Sequence, residues 1–231
     1  MIRTPLAARS ARAATGLAGC LLLALSGCQK ATAVVAAGTL TIVSGDLQTR
    51  QVGRTLRAPL VFRATDAAGK GIGGTPITIV VIRGGGAVDS ASIKTDANGE
   101  ARVKWTLGPE VAQAIQATIP SVEPLRVTAT GIVPSDIVIA QGNNQSARVL
   151  VALVNSVVVR VLGGNNVPMD SINVTFQITG GGGAIAPQSI LTNAAGEATV
   201  KWTMGPVAGT NTALVRAATI DPVTITATAT P

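Results

Sequence analysis

From about residue 40 onward, apolar side chains recur at every second position. Leu40 and Ile42 alternate with Thr41 and Val43, and Leu60, Phe62 and Ala64 alternate with Val61 and Arg63. The same rhythm returns in Ile77, Ile79 and Val81, in Ala101, Val103, Trp105 and Leu107, and in Leu125, Val127 and Ala129. A period of two is the pattern of half-buried strands. Thr, Val and Ile dominate these runs, as a pleated surface favours. Turn-forming clusters divide them: Asp66-Ala67-Ala68-Gly69, Arg83-Gly84-Gly85-Gly86 and Asp96-Ala97-Asn98-Gly99. No sustained 3.6-residue period appears after the first thirty residues. The pattern predicts strands only.

The chain is written twice. GEARVKWTLGP (99–109) returns as GEATVKWTMGP (196–206), nine of eleven positions being identical. At an offset of 97, Gly45 matches Gly142, Gln48 matches Gln145, Val61 matches Val158 and Arg63 matches Arg160. The strand positions 157, 159 and 161 (Val157, Val159, Val161) and 174, 176 and 178 (Val174, Phe176, Ile178) repeat those of the first copy. The copies span 38–131 and 135–231, joined by a short stretch, 132–134, that Pro134 stiffens. Several short strands in units near 95 residues predict an all-β fold: two tandem antiparallel β-sandwiches.

Each copy holds one of the chain's two tryptophans, so the Trp is either a ligand platform or a core residue. Alternation decides between them. Ala101, Val103, Trp105 and Leu107 share one face and Arg102, Lys104 and Thr106 the other. The second copy sets Ala198, Val200, Trp202 and Met204 against Thr199, Lys201 and Thr203. Trp105 and Trp202 are therefore expected in the cores, with Phe62 and Phe176. Gly99 and Gly196 are expected to supply turn geometry ahead of each Trp strand.

The first thirty residues belong to a different class of signal. Arg3, Arg9 and Arg12 precede an apolar run of about thirteen residues, too short for the roughly twenty that span a bilayer. It ends in Leu25-Ser26-Gly27-Cys28, which resembles the lipobox of bacterial lipoproteins. That resemblance implies a cleaved signal over 1–27, diacylglyceryl modification of Cys28 and a lipidated tether over 28–37. A second match, Leu17-Ala18-Gly19-Cys20, leaves too little apolar sequence before its cysteine. Two or three acyl chains anchor stably where one is marginal. Gln29, in place of Asp, points to the outer membrane of the cell envelope.

Removing the signal changes the charge from +7 to 15 − 11 = +4. The first copy holds ten basic and seven acidic side chains, and the second four of each. This is no nucleic-acid footprint, which needs a clustered basic face and stacking aromatics. With Cys28 lipidated and Cys20 removed, no disulfide is available, and each copy must stand on its apolar core.

The order SGDLQ (44–48), PLVFRATD (59–66), GGG (84–86), TDANGEA (95–101) and WTLG (105–108) resembles group 1 bacterial immunoglobulin-like domains. QGNNQ (141–145), TNAAGEA (192–198) and WTMG (202–205) carry the resemblance through the second copy. Such domains form the stalks of invasin- and intimin-type adhesins, so the resemblance implies two tandem immunoglobulin-like sandwiches and a display or adhesion setting.

Candidate chemistry is sparse. The glycine runs 84–86 and 180–183 lack the Lys-Ser/Thr that a phosphate loop requires. Asp96-Ala97-Asn98-Gly99-Glu100 lacks a full calcium ladder, and the second copy keeps only Asn193-Ala194-Ala195-Gly196. A turn is the simpler reading, a weak calcium site in the first copy the alternative. The chain has no His and no Tyr, and the single acids Asp89, Glu110, Glu123, Asp170 and Asp221 show no paired spacing. No catalytic residue, metal or cofactor is expected. The expected protein is a non-enzymatic, lipid-anchored envelope protein, a spacer or adhesion module with a possible surface-protein or polysaccharide partner. The alternative is a ligand-binding lipoprotein that uses loops at a sandwich end.

Overall fold

The structure, a computed structural model, describes residues 37–231. The expected signal 1–27, Cys28 and the tether up to residue 36 lie outside the described residues. The described residues form one compact unit, built from two immunoglobulin-like β-sandwiches.

The first copy contributes ten strands: β1 (Thr39–Ser44), β2 (Gln48–Gln51), β3 (Leu60–Thr65), β4 (Pro76–Arg83) and β5 (Gly86–Val88). β6 (Ser92–Lys94), β7 (Glu100–Val103), β8 (Trp105–Leu107), β9 (Ala112–Thr118) and β10 (Leu125–Ile132) complete it. One layer has the order β1-β3-β7, continued by the β5-β8 pair; the other has the order β2-β10-β9-β4-β6. All pairings are antiparallel except β2 with β10, which is parallel.

The second copy repeats this plan. Its strands are β11 (Pro134–Gln141), β12 (Gln145–Arg148), β13 (Val157–Gly163), β14 (Val167–Pro168) and β15 (Asn173–Gly180). β16 (Ala184–Ala186), β17 (Ser189–Leu191), β18 (Glu197–Thr203), β19 (Gly209–Ala217) and β20 (Val223–Thr230) follow. The layers run β11-β13-β18-β16 and β12-β20-β19-β15-β17, again with one parallel pair, β12 with β20.

The parallel pair arises because the first strand of each copy changes layers. Gly45 (φ +94°) and Leu47 (φ +59°) break β1 from β2. A Cβ on Gly45 would lie 2.5 Å from the Pro59 carbonyl oxygen. The Gln48 carboxamide then fastens the crossing: Nε2 donates to the Gly45 and Ala58 carbonyls at 2.8 and 2.9 Å, and Oε1 accepts the Ala58 N–H at 3.0 Å. Gln145 makes the same three bonds, to Gly142 and Asn155, at 2.8, 2.9 and 3.0 Å. The matched Gly and Gln therefore mark a layer switch. Along one strand the pleat sends alternate side chains to one layer of core, and the switch lets a single segment close both layers.

Each copy has its own apolar cluster. Leu60, Phe62, Ile77, Ile79, Val103, Trp105, Leu107, Ile115 and Val127 fill the first. Val157, Val159, Val161, Val174, Phe176, Val200, Trp202, Met204, Val215 and Ile225 fill the second. Trp105 and Trp202 are 0% and 1% exposed, Phe62 and Phe176 0% and 4%. The Trp strand is continuous in the second copy but interrupted at Lys104 in the first. There the Asp89 carboxylate accepts the Lys104 N–H at 3.0 Å, displacing the ladder bond that Ala186 and Lys201 keep through their register.

Candidate functional site

The glycine runs pack against buried amides. Gln113 (2% exposed) lies against Gly84, while Gly85 and Gly86 pack on the 106–108 backbone and Pro109. Gln113 Nε2 donates to the carbonyls of Gly84, Gly108 and Glu110 at 3.3, 3.2 and 2.5 Å, and Oε1 accepts the Gly108 N–H at 3.1 Å. A Cβ on Gly84 would sit 2.5 Å from that carboxamide. Asn211, fully buried in the second copy, accepts the Gly205 N–H at 3.2 Å and donates to Gly209 O at 3.2 Å. Gly84 and Gly181 are thus closely packed backbone against a buried amide in each copy.

The acidic loop is a turn in both copies. Asp96 Oδ1 accepts the N–H groups of Asn98 and Glu100 at 2.8 and 2.9 Å. Asn193 Oδ1 does the same for Ala195 and Glu197 at 2.9 and 3.0 Å. An amide oxygen performs the task as well as a carboxylate, so charge is not what the position uses. Gly99 (φ +79°) and Gly196 (φ +75°) close these turns, and a Cβ on Gly99 would lie 2.5 Å from the Ala64 carbonyl oxygen. Among the described residues no group of three or more His, Cys, Asp or Glu could hold a metal.

Side chains from both copies converge at the join. Only Val133 separates β10 from β11, and Ile132 packs against the core of the second copy. Gly163 admits this approach, since a Cβ there would meet Ile132 and the Val133 carbonyl at 2.7 and 2.8 Å. From the first copy, the Gln51 carboxamide pairs with the backbone of Asp170, donating to its carbonyl at 2.6 Å and accepting its N–H at 3.2 Å. The Arg54 guanidinium forms an ion pair with the Asp170 carboxylate and donates to Ser171 Oγ at 2.7 Å. Thr192 holds the loop that presents Asp170, its Oγ1 donating to Met169 O at 2.6 Å and accepting the Ile172 N–H at 2.9 Å.

Around this latch lies a cleft of about 370 Å³, lined by Arg50, Arg54 and Arg57 with Thr49, Asp170 and the apolar Ile132, Val167 and Pro168. A second cleft of about 390 Å³ brings together Asp136 and Asp221 beside Pro134 and Pro222.

No protein-family model and no curated protein matches the chain. Among solved structures, it is similar to the D0–D1 domain of intimin, at 16% identity and TM-score 0.35 over 83% of this chain and 95% of that one. It is similar to the adhesin InvE of Yersinia pseudotuberculosis, at 16% identity and TM-score 0.42 over 83% and 59%. It is also similar to invasin, a bacterial integrin-binding protein, at 21% identity and TM-score 0.45 over 84% of this chain and 40% of that one.

The sequence reading did not single out the latch or its cleft. The signal was a break in the repeat: Arg50, Arg54 and Arg57 correspond to Ala147, Val151 and Val154, and Asp170 corresponds to Gly73. The same end of the second copy is instead apolar, with Leu150, Val151, Val154 and Val207 exposed by 68, 49, 89 and 69%. The latch is half-exposed, with the Arg54 and Asp170 side chains 37 and 39% accessible. Asp170→Ala is expected to cost no more than about 1 kcal/mol of global stability, as exposed ion pairs do. It should instead loosen the join, widening the distribution of distances between spin labels placed on the two copies. An unchanged distribution would show that Ile132 packing and the Gln51 bonds to the Asp170 backbone fix the join without the ion pair.

Proposed function

We propose that this chain is a non-enzymatic envelope protein, lipid-anchored through Cys28, whose two immunoglobulin-like sandwiches serve as a surface spacer or adhesion module. The observation that carries this reading is the latch. Gln51 and Arg54 of one copy grip Asp170 and Ser171 of the next, and Ile132 crosses into the second core. Two sandwiches coupled in this way transmit load and orientation, which a display module needs and a flexibly tethered pair of domains lacks. The buried tryptophans fit the same role, because they stabilise each copy without a disulfide.

The anchor and the partner are tested separately. Cys28→Ser should abolish acyl labelling and release the protein from membranes, while Cys20→Ser should do neither. Labelling that survives Cys28→Ser would remove the anchor from the proposal. For the partner, the ectodomain is offered to envelope polysaccharides and surface proteins in a pull-down. Saturable capture of a surface protein supports adhesion. Saturable capture of a neutral polysaccharide would make the chain a sugar-binding lipoprotein.

A further inference from the structure

We infer that the cleft at the join binds an oxyanion, a carboxylate or phosphate group on a ligand of about monosaccharide size, through Arg50 and Arg57. Three guanidinium groups and a single carboxylate line it, a balance of +2. Arg54 is committed to Asp170 and Ser171. Among the described residues, neither Arg50 nor Arg57 has a carboxylate within ion-pair distance.

Arg50 carries the decisive observation. Its Nε is buried and has no hydrogen-bond partner. A buried donor left without an acceptor is costly, and more so when it belongs to a charged group. What the Nε–H lacks is an acceptor, and Arg50 is among the residues that line the cleft. Strand β2 fixes it through the parallel register of Arg50 against Gly131, next to the Gln51 clasp on Asp170. The planar fork of Arg matches the paired oxygens of a carboxylate or phosphate. Arg57, exposed at the rim, would supply the second charge, and the Thr49 side chain an additional donor. Ile132, Val167 and Pro168 give the apolar walls that a sugar ring or short carbon chain packs against. A volume of about 370 Å³ falls within the roughly 300–1,000 Å³ of small-ligand pockets.

The repeat argues for the same conclusion. Where the first copy has Arg50, Arg54 and Arg57, the second has Ala147, Val151 and Val154, so the cationic set occurs only where a neighbouring copy completes a cleft. Packing of the sandwich itself does not require it, since the second copy folds the same way without it. The site is independent of the anchor at Cys28 and stands whether or not the chain adheres to another cell.

Isothermal titration of the full chain in non-ionic detergent tests it, with sodium phosphate, sodium glucuronate and glucose as probes at matched ionic strength. Saturable, one-site binding of phosphate or glucuronate is expected, and whichever is preferred identifies the source of the oxyanion. Arg57→Gln, an exposed change that leaves the fold intact, should weaken binding about tenfold, the equivalent of roughly 1.4 kcal/mol. Arg50→Gln should weaken it further, while the tryptophan emission of both variants stays that of the parent. The proposal is overturned if neither anion saturates, if glucose binds as well as glucuronate, or if both variants bind like the parent.

Discussion

Trp105→Ala and Trp202→Ala should each destabilise their own copy by about 3–5 kcal/mol, the range for truncating a large buried aromatic. Trp105 is wholly buried and Trp202 nearly so, and their strand neighbours Val103, Leu107, Val200 and Met204 are equally inaccessible. Removing an indole leaves a void that β-strands on two layers cannot close, because their spacing is fixed by backbone ladders. The loss is a large share of the stability a domain of this size commands. The indole Nε1 atoms are buried without hydrogen-bond partners in both copies. The residue is therefore held for its apolar volume, and Trp→Phe should recover most of the loss while Trp→Ala recovers none. Circular dichroism measures each loss, and the remaining fluorophore, which lies in the other copy, should report an unchanged transition there. Parent emission should be blue of free indole and resist acrylamide. Red-shifted emission that a saccharide protects would turn the tryptophans into ligand platforms.

Those tryptophans were legible because side chains alternate along the strands that carry them. Lys104 and Lys201 point to solvent, so the residue beside each points inward. The layer switch was half legible. Gly45 and Gln48 stood out as matched residues, but nothing in their spacing says that a carboxamide bonds a backbone ten residues away at Ala58. The expectation of antiparallel sandwiches missed the parallel pairs for the same reason. Strand periodicity reports which face is buried and is silent on which neighbour a strand joins. The join was the least legible part. Its contacts couple Gln51 and Arg54 to Asp170, more than a hundred residues apart, and no local pattern encodes such a pairing. What the sequence did contain was the asymmetry between copies. Where a duplicated chain departs from its twin in charge, as at Arg54 and Val151, the departure marks a surface with a different neighbour.

Gln113→Leu should be the most damaging polar-to-apolar change in the first copy, costing about 2–3 kcal/mol although it replaces a polar core residue by an apolar one of similar volume. Burying Leu in place of Gln is favourable by transfer alone. The opposing cost comes from the partners left behind. The Gly108 N–H and the carbonyls of Gly84 and Gly108 lose a buried bond and Glu110 a part-buried one, and Gly84 packed on the amide leaves little space for water there. Leu is also branched where the carboxamide lies flat against Gly84, so its methyl groups press on backbone that cannot retreat. Asn211→Leu in the second copy should cost less, because Asn211 satisfies only two backbone groups, the Gly205 N–H and the Gly209 carbonyl, where Gln113 satisfies four. Chemical denaturation of both variants separates the cases. A larger loss for Gln113 means that the buried amide holds the glycine loop by its hydrogen bonds. Equal losses would mean that the space the side chain fills, and not its polarity, is what each core requires.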